Sequence, residues 1–433
     1  MLGTPLRPVC FPRAFDLLAA RPLKQRSVGG QQKGSDTMGA TKMQRAALSA
    51  AALCMLALQA RATSVRLIDQ FNHGGNDPYY GVTVANGQIF GVTSSGGNKG
   101  CDAGLGCGTV FMLQQTGNHW ASSTLYTFKG KSDGAYPYPL TVDTDGTVYG
   151  STGSYNYGTV FHLLPPGAGS SAWTYETLYH FTGAKDGNLN CNSFPLLVQN
   201  GAVYGLACGP ATGGILYEIS QTGGAWHKSV LTRFDSATPT SIAGFDANGA
   251  VYIATSGMRG TVYRVAPPSG GSGPWTKQVL APFKEKPNAG LPANLVLSPK
   301  GNLFGFDHLG RGLDVFELSP RAGGDTTAGV RNIHAWTKTV ISAPRSRGYG
   351  PSSLALGADG TLVGAIYGDQ DFYGGALYQI KQAGRAFWTT SILWDFGTQG
   401  PASNPLSVVY GSDRDYFGVL NDTYSNGQVF ELR

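Results

Sequence analysis

One short phrase recurs seven times along the chain, and its spacing limits the fold more than any other feature. Each copy covers four residues and ends in an aromatic side chain, as in Gly108-Thr-Val-Phe111. The copies begin at Gly108, Gly158, Gly214, Gly260, Leu313, Gly375 and Gly427. A repeat of roughly 50 residues, with no helical stretch between copies, is typical of propeller blades and not of a helical solenoid.

The sequence between these closing phrases predicts further strands. A Trp meets a Phe eight residues later in five repeats, whereas Trp336 meets Pro344. An even offset places both rings on one face of a strand, where we expect them to pack as core. The five pairs are Trp120 with Phe128, Trp173 with Phe181, Trp226 with Phe234, Trp275 with Phe283 and Trp388 with Phe396.

A Gly-containing dipeptide precedes an aliphatic or aromatic strand in six repeats. Asn-Gly and Asp-Gly suit a two-residue hairpin turn, because both central residues must accept positive φ. The sequence therefore predicts a tight hairpin at Asn86-Gly87, Asp145-Gly146, Asn200-Gly201, Asn248-Gly249, Lys300-Gly301 and Asp359-Gly360.

Together these elements predict an all-β fold, a seven-bladed β-propeller with four-stranded blades. No Trp-to-Phe strand follows the seventh closing phrase. Residues 63–71 resemble the missing strand, with Phe71 in the place that Phe128 holds in the first repeat. We therefore expect this N-terminal strand to complete the last blade and so to remove an exposed sheet edge.

The repeat resembles the GloVer repeat of secreted bacterial choice-of-anchor proteins, whose consensus has an Asp-Gly turn, Leu-Tyr-Gly-Thr-Thr, Gly-Gly and Gly-Thr-Val-Phe. The best matches are residues 86–97 with 108–111 and residues 145–153 with 158–161, and the resemblance extends over residues 65–433. It implies a propeller-like array outside the cytoplasm. It implies no activity, because the family carries no assigned reaction.

An export signal is predicted ahead of the repeats. Lys42 and Arg45 precede an apolar run over residues 46–60, which leads into the small-x-small cleavage pattern Ala60-Arg-Ala62. The run is shorter than the roughly 20 residues that a membrane-spanning helix needs. The start of translation stays open between Met1, Met38 and Met43.

Cleavage at this pattern defines two regions. We expect residues 1–62 to be removed and residues 63–433 to form a single propeller domain. The mature chain is then periplasmic or extracellular and has no transmembrane segment.

Charge argues against nucleic acid as a partner. The formal net charge is +6, but residues 1–62 hold nine Lys or Arg and two Asp or Glu. The remaining chain carries 23 basic and 24 acidic residues and is close to neutral, whereas nucleic-acid binding needs clustered positive charge. Only 13% of the residues are charged, which together with 63 Gly and 21 Tyr fits a turn-rich secreted β domain.

Four cysteines follow the predicted cleavage position, and an even number in an exported chain favours disulfides. Cys101 and Cys107 flank a Gly-rich loop, and Cys191 and Cys208 lie on either side of the third hairpin turn. The sequence therefore predicts the pairs 101–107 and 191–208. Free or metal-bound thiols remain the alternative, because sequence alone does not prove connectivity.

No catalytic motif has a suitable context. Residues 130–134 match Gly-x-Ser-x-Gly, but that motif needs a strand leading into a helix, and this segment joins two strands. No histidines have ligand spacing, and the Asp-x-Asp segments lack the other ligands of a calcium loop. No catalytic residue, metal or cofactor is assigned, and the question of an enzyme stays open. The carboxylates that an enzyme would use are Asp133, Asp186, Asp369, Asp371 and Asp422.

Tyrosines recur in the loops that precede the innermost strands or join the second and third strands, which share one face of a propeller. They are Tyr79, Tyr136, Tyr138, Tyr157, Tyr349 and Tyr373. A ring stacks on a sugar face while neighbouring amides and carboxylates bond its hydroxyls. The sequence predicts a binding or interaction scaffold with a saccharide or a protein as its partner. The alternatives are a dedicated carbohydrate-binding protein and a propeller lyase or hydrolase.

Overall fold

The protein is described from a computed structural model. The chain divides into two units, residues 1–60 and residues 61–433. The structure describes residues 64–433 apart from 72–74, 77, 102–103, 154–156, 184–185, 191–193, 210–212, 236, 257–259, 272, 284–290, 310–311, 321–335, 343–350, 369–373, 385–386, 400–403, 412–414 and 422–426.

The described residues form 31 strands and one helical turn. The strands are β1 (Val65–Gln70), β2 (Gly75–Asn76), β3 (Val82–Ala85), β4 (Gln88–Thr93), β5 (Ser95–Gly96), β6 (Thr109–Thr116), β7 (His119–Thr127), β8 (Ala135–Pro137), β9 (Thr141–Val142), β10 (Val148–Gly153), β11 (Thr159–Leu164), β12 (Thr174–His180), β13 (Leu197–Gln199), β14 (Ala202–Cys208), β15 (Gly213–Thr222), β16 (Ala225–Asp235), β17 (Pro239–Phe245), β18 (Val251–Thr255), β19 (Thr261–Ala266), β20 (Thr276–Pro282), β21 (Pro292–Leu297), β22 (Leu303–Leu309), β23 (Gly312–Pro320), β24 (Trp336–Ser342), β25 (Pro351–Leu356), β26 (Leu362–Ile366), β27 (Ala376–Gly384), β28 (Phe387–Asp395), β29 (Asn404–Tyr410), β30 (Tyr416–Asn421) and β31 (Gln428–Leu432). The helical turn is α1 (Phe396–Gln399).

Seven antiparallel sheets form a ring, and the predicted seven-bladed β-propeller is confirmed. We number the blades along the chain and give the innermost strand first. They are blade 1 (β3-β4-β6-β7), blade 2 (β8 and β9, then β10-β11-β12), blade 3 (β13 to β16), blade 4 (β17 to β20), blade 5 (β21 to β24), blade 6 (β25 to β28) and blade 7 (β29-β30-β31-β1). Strands β2 and β5 pair with each other outside the blades.

The core of the protein lies between the blades. Every residue of the middle strands β10, β18, β26 and β31 is buried, because a neighbouring blade covers each face. The outermost strands β7 and β28 are largely exposed or half-buried. The hydrophobic core is therefore divided into small clusters between neighbouring blades, as expected where each repeat contacts only its neighbours.

The Trp and Phe series form the contacts between blades. The Phe of one blade meets the aromatic ring of the closing phrase in the next, with centroid distances in Phe128–Phe161 of 5.3 Å, Phe181–Tyr217 of 5.2 Å, Phe234–Tyr263 of 5.6 Å, Phe283–Phe316 of 5.1 Å and Phe396–Phe430 of 5.9 Å. The Trp packs back onto the preceding blade, in Trp120–Phe417, Trp173–Phe90, Trp226–His162, Trp275–Tyr204 and Trp388–Phe304. These rings are packing elements, as the sequence predicts.

Strand β1 is the outermost strand of blade 7 and lies antiparallel to β31. The N–H of Phe71 donates to the carbonyl of Gly427 at 3.2 Å, as the N–H of Phe128 donates to that of Gly108 at 3.1 Å. The Phe71 ring meets Phe111 of blade 1 at 4.7 Å. Phe71 thus occupies the position between blades 7 and 1 that the Phe series occupies elsewhere. The contribution of β1 to the stability of the ring stays a prediction.

The hairpin turns have two geometries, and the predicted two-residue turn is wrong in four repeats. Asn86 and Asn200 both have φ of 53° and precede a Gly of positive φ, the type I′ pattern. In the other four turns only the Gly has positive φ, and its N–H donates to the residue three positions earlier, as Gly146 does to Asp143 at 3.0 Å. These are three-residue loops with a Gly bulge. A polar side chain three residues before the Gly caps three of these four loops, from Asp143, Asp246 and Ser298.

The disulfide between Cys101 and Cys107 is confirmed, with both residues buried. Cys208 is also disulfide-bonded. Cys191 lies outside the described residues, so the 191–208 pairing stays a prediction. Within the described part of the chain, no helix is long and apolar enough to span a membrane.

Candidate functional site

The first strands of the seven blades surround a central channel of about 750 Å³. Side chains of a strand alternate between the two faces of its sheet, so the first strands meet the channel along their inner edges. Every blade contributes to the lining, for example through Val82, Leu140, Pro195, Ile242, Leu295, Leu354 and Val408. Described residues from all seven repeats meet at this channel.

Side-chain donors join neighbouring first strands around this channel. An innermost strand has no strand on its inner edge, so its carbonyls need other donors. The bonds are Thr83 Oγ1 to Leu140 O (2.7 Å), Thr141 Oγ1 to Leu196 O (2.5 Å), Thr240 Oγ1 to Pro292 O (2.6 Å), Asn294 Nδ2 to Ser352 O (3.2 Å) and Ser352 Oγ to Pro405 O (2.9 Å). The sequence analysis did not predict these hydrogen bonds between first strands. Their signal is a Thr, Ser or Asn within two residues of a Pro or Gly at the start of a first strand.

The lining of the channel is uncharged. No Asp, Glu, Lys, Arg or His is among its described residues. Its polar groups are hydroxyls, amides and phenols. The Ser407 hydroxyl in particular is shielded from solvent and has no hydrogen-bond partner within the described structure. The described part of the lining therefore suits a neutral ligand.

Three tyrosine rings form an edge-to-face row beside the channel. The Tyr79 and Tyr80 centroids are 5.2 Å apart, and so are those of Tyr80 and Tyr138. Tyr79 is 53% exposed and lines the channel with Tyr80. Tyr138 is buried, and burial raises its pKa. The row thus runs from an exposed ring into the core of the blades.

The other predicted tyrosines lie away from the channel or outside the described residues. Tyr136 has a positive φ of 55° and packs on the core between blades 1 and 2. Tyr157 is 48% exposed, and its ring lies against Gly183. Tyr349 and Tyr373 lie outside the described residues. A ligand role for these residues stays a prediction.

The lining also contains residues that are not among the six tyrosines predicted to bind a ligand, namely Tyr80, Asn294, Tyr367 and Asn421. Tyr367 directly follows the second strand of blade 6, and Asn421 ends that of blade 7. An amide or phenol at the end of a second strand was the available signal. It was weak, because the sequence does not show which loops lean towards the axis.

Two of the candidate carboxylates hold loops in place. Asp133 accepts hydrogen bonds from the Tyr126 hydroxyl and the Lys129 N–H, both at 2.9 Å. Asp186 accepts one from the Tyr179 hydroxyl at 3.0 Å, and burial together with this bond raises the pKa of Tyr179 to about 12.

The remaining candidates, Asp369, Asp371 and Asp422, lie outside the described residues. Among the residues that the structure describes, no group of three or more His, Cys, Asp or Glu is placed to hold a metal.

A family model described as the Gloeobacter/Verrucomicrobia repeat matches residues 31–258. No curated protein matches the chain.

Solved propellers match it at low identity. A catalytically inactive virginiamycin B lyase from Staphylococcus aureus with quinupristin has 13% identity and a TM-score of 0.53, covering 86% of this chain and 99% of that one. YCF48 from Cyanidioschyzon merolae has 11% identity and a TM-score of 0.50, with the same coverage. At this identity the likeness shows the fold alone.

Proposed function

The chain belongs to the Gloeobacter/Verrucomicrobia repeat family, and from this premise we propose that it is an exported binding module that takes its ligand in the central channel. The observation that carries the proposal is the set of described lining residues, which are uncharged and in which the exposed ring of Tyr79 accompanies the amides of Asn294 and Asn421. The channel volume of about 750 Å³ lies within the range of roughly 300 to 1,000 Å³ found for small-molecule sites.

A neutral saccharide is the ligand class that this lining fits best. Burying an ion without a partner costs several kcal/mol, so the channel disfavours charged ligands. A sugar offers an apolar face to the Tyr79 ring and hydroxyls to side-chain amides. A protein partner on the loop face is the alternative for the same module.

Binding is preferred over lyase or hydrolase chemistry. Such reactions need an acid or a base within reach of the substrate. The described lining of the channel offers neither a carboxylate nor a histidine, and Asp133 and Asp186 hold loops. The likeness to a virginiamycin B lyase is one of fold, so it does not bring that activity to this chain.

Export is supported by the family and by the disulfide between Cys101 and Cys107. Disulfides persist in the periplasm and outside the cell but are rare in the cytosol. The predicted signal peptide, cleaved after Ala62, would direct the chain to export.

A glycan array followed by calorimetry tests the proposal. We expect binding of a neutral glycan, and Tyr79→Ala should weaken it roughly fivefold, since a stacked ring contributes about 1 kcal/mol. Tyr157→Ala is the matched control, because Tyr157 is almost as exposed but lies outside the channel. Absence of binding to every neutral glycan, or an equal loss in both variants, contradicts the proposal.

A further inference from the structure

Blade 5 contains a Lys–Asp pair, with a buried carboxylate and a partly exposed lysine, that the other blades lack in their described parts. Lys338 Nζ, on β24, lies 2.5 Å from Asp307 Oδ2, on β22. Asp307 is 3% exposed, and its Oδ1 has no hydrogen-bond partner in the described structure. Lys338 Nζ also lies 3.8 Å from the centroid of the Phe283 ring and 5.6 Å from that of Phe316. The amine and the carboxyl therefore meet under aromatic rings.

Lysines at the same place in other blades have different partners. Lys228 and Lys277 also follow a Trp by two residues and lie over the Phe of the preceding blade. Each donates to a backbone carbonyl, of Asp186 and Arg233 respectively. Lys338 is the member of this series that meets a carboxyl group.

Strands β22 and β23 carry a second unusual feature, a pair of opposed aspartates. Asp307 and Asp314 stand directly opposite each other on β22 and β23. Three other blades have threonines at both positions, in Thr93 with Thr109, Thr152 with Thr159 and Thr255 with Thr261. Directly opposed residues have Cβ atoms about 5 Å apart. A second carboxyl group therefore lies beside the Lys–Asp pair.

We propose that Lys338 and Asp307 form an intramolecular isopeptide bond. Nζ attacks Cγ, the bond from Cγ to one carboxyl oxygen breaks, and that oxygen leaves as water. Of the three ammonium hydrogens, one stays on the amide nitrogen and two leave with the oxygen, so the ion pair becomes a neutral amide without an oxidant or a cofactor. The burial of Asp307 favours this loss of charge, because a carboxylate is costly to hold away from water. Asp314 carries a proton from the nitrogen to the leaving oxygen.

The proposed cross-link joins the outermost strand of blade 5 to its second strand. In the sequence, Trp336 is the Trp of the series that meets Pro344, and not a Phe, eight residues later. The bond fastens β24 to β22 across β23. It gives this blade a covalent link between its outermost and second strands.

Mass spectrometry of the reduced, full-length purified protein tests the proposal. We expect a mass lower than the sequence mass by one water molecule. Trypsin should fail to cut after Lys338 and should release a branched peptide that contains Lys338 and Asp307. The unmodified mass together with cleavage after Lys338 overturns the proposal.

Variants test whether Lys338 and Asp307 are the residues that form the bond. Asp307→Ala and Lys338→Arg should restore the missing water, with circular dichroism verifying the fold, and Asp307→Asn should lose ammonia instead. Lys277→Arg is the matched control and should keep the deficit. Asp314→Asn should slow bond formation, and Asp314→Glu should restore it. A deficit that persists in Asp307→Ala contradicts the assignment.

Discussion

At the scale of single residues, two buried hydroxyls work against stability. Tyr217 and Tyr378 are fully buried, burial raises the pKa of both phenols, and neither hydroxyl has a hydrogen-bond partner within the described structure. Other blades place phenylalanine at this position, in Phe111, Phe161, Phe316 and Phe430. Packing at this position of the closing phrase therefore requires an aromatic ring and does not require the hydroxyl group.

Tyr217→Phe and Tyr378→Phe should therefore each stabilise the protein. A buried polar group without a partner costs about 1–3 kcal/mol, so we expect a higher midpoint in thermal unfolding. Tyr252→Phe is the matched control, because its hydroxyl donates to Asp246 at 3.2 Å, and its loss should lower the midpoint. A lower midpoint in both of the first two variants would show that these hydroxyls find partners.

At the scale of elements, the N-terminal strand joins the two ends of the described chain. Phe71 is buried against Phe111, while Leu67 on the same strand is 43% exposed. Phe71→Ala should destabilise the protein by about 3–5 kcal/mol, the usual cost of emptying an aromatic core position. Leu67→Ala should have little effect. Chemical denaturation measures both.

Deleting residues 63–71 should lower the thermal midpoint further, because it also exposes the edge of β31. An unchanged midpoint after deletion would show that the ring does not depend on this strand.

At the scale of the whole molecule, buried phenols predict sensitivity to alkali. Ten tyrosines have a pKa raised by burial, namely Tyr126, Tyr138, Tyr149, Tyr175, Tyr179, Tyr204, Tyr217, Tyr252, Tyr378 and Tyr416. For Tyr175, Tyr179, Tyr204 and Tyr252 the raised pKa is about 12. An unfolded tyrosine has a pKa of about 10.

As the pH rises, the tyrosine hydroxyls of the unfolded chain therefore lose their protons before those of the folded protein. Ionisation of these phenols has no effect on stability below about pH 10, and it lowers the stability of the folded state as the pH rises from about 10 towards about 12. Thermal unfolding between about pH 8 and pH 11 should show a falling midpoint above about pH 10. Tyr217→Phe should make the fall shallower. A constant midpoint over this range would contradict the prediction.

The sequence by itself determined the repeat, the number of blades and the aromatic contacts between them. These follow from local spacing, since Trp120 and Phe128 need only an even offset to share a strand face. Even there, the turn at Asp145-Gly146 differs from its prediction, because the Asp143 side chain caps a longer loop.

The composition of the channel was decided only by the tertiary structure. Tyr79 was predicted as a site residue, but Tyr80, Asn294 and Asn421 were not. Tyr80, Asn294 and Asn421 are each separated by more than a hundred positions along the chain, and the curvature of the closed ring brings them to one axis. The Lys338–Asp307 pair depends on packing in the same way, because no short motif records which side chains face each other across three strands.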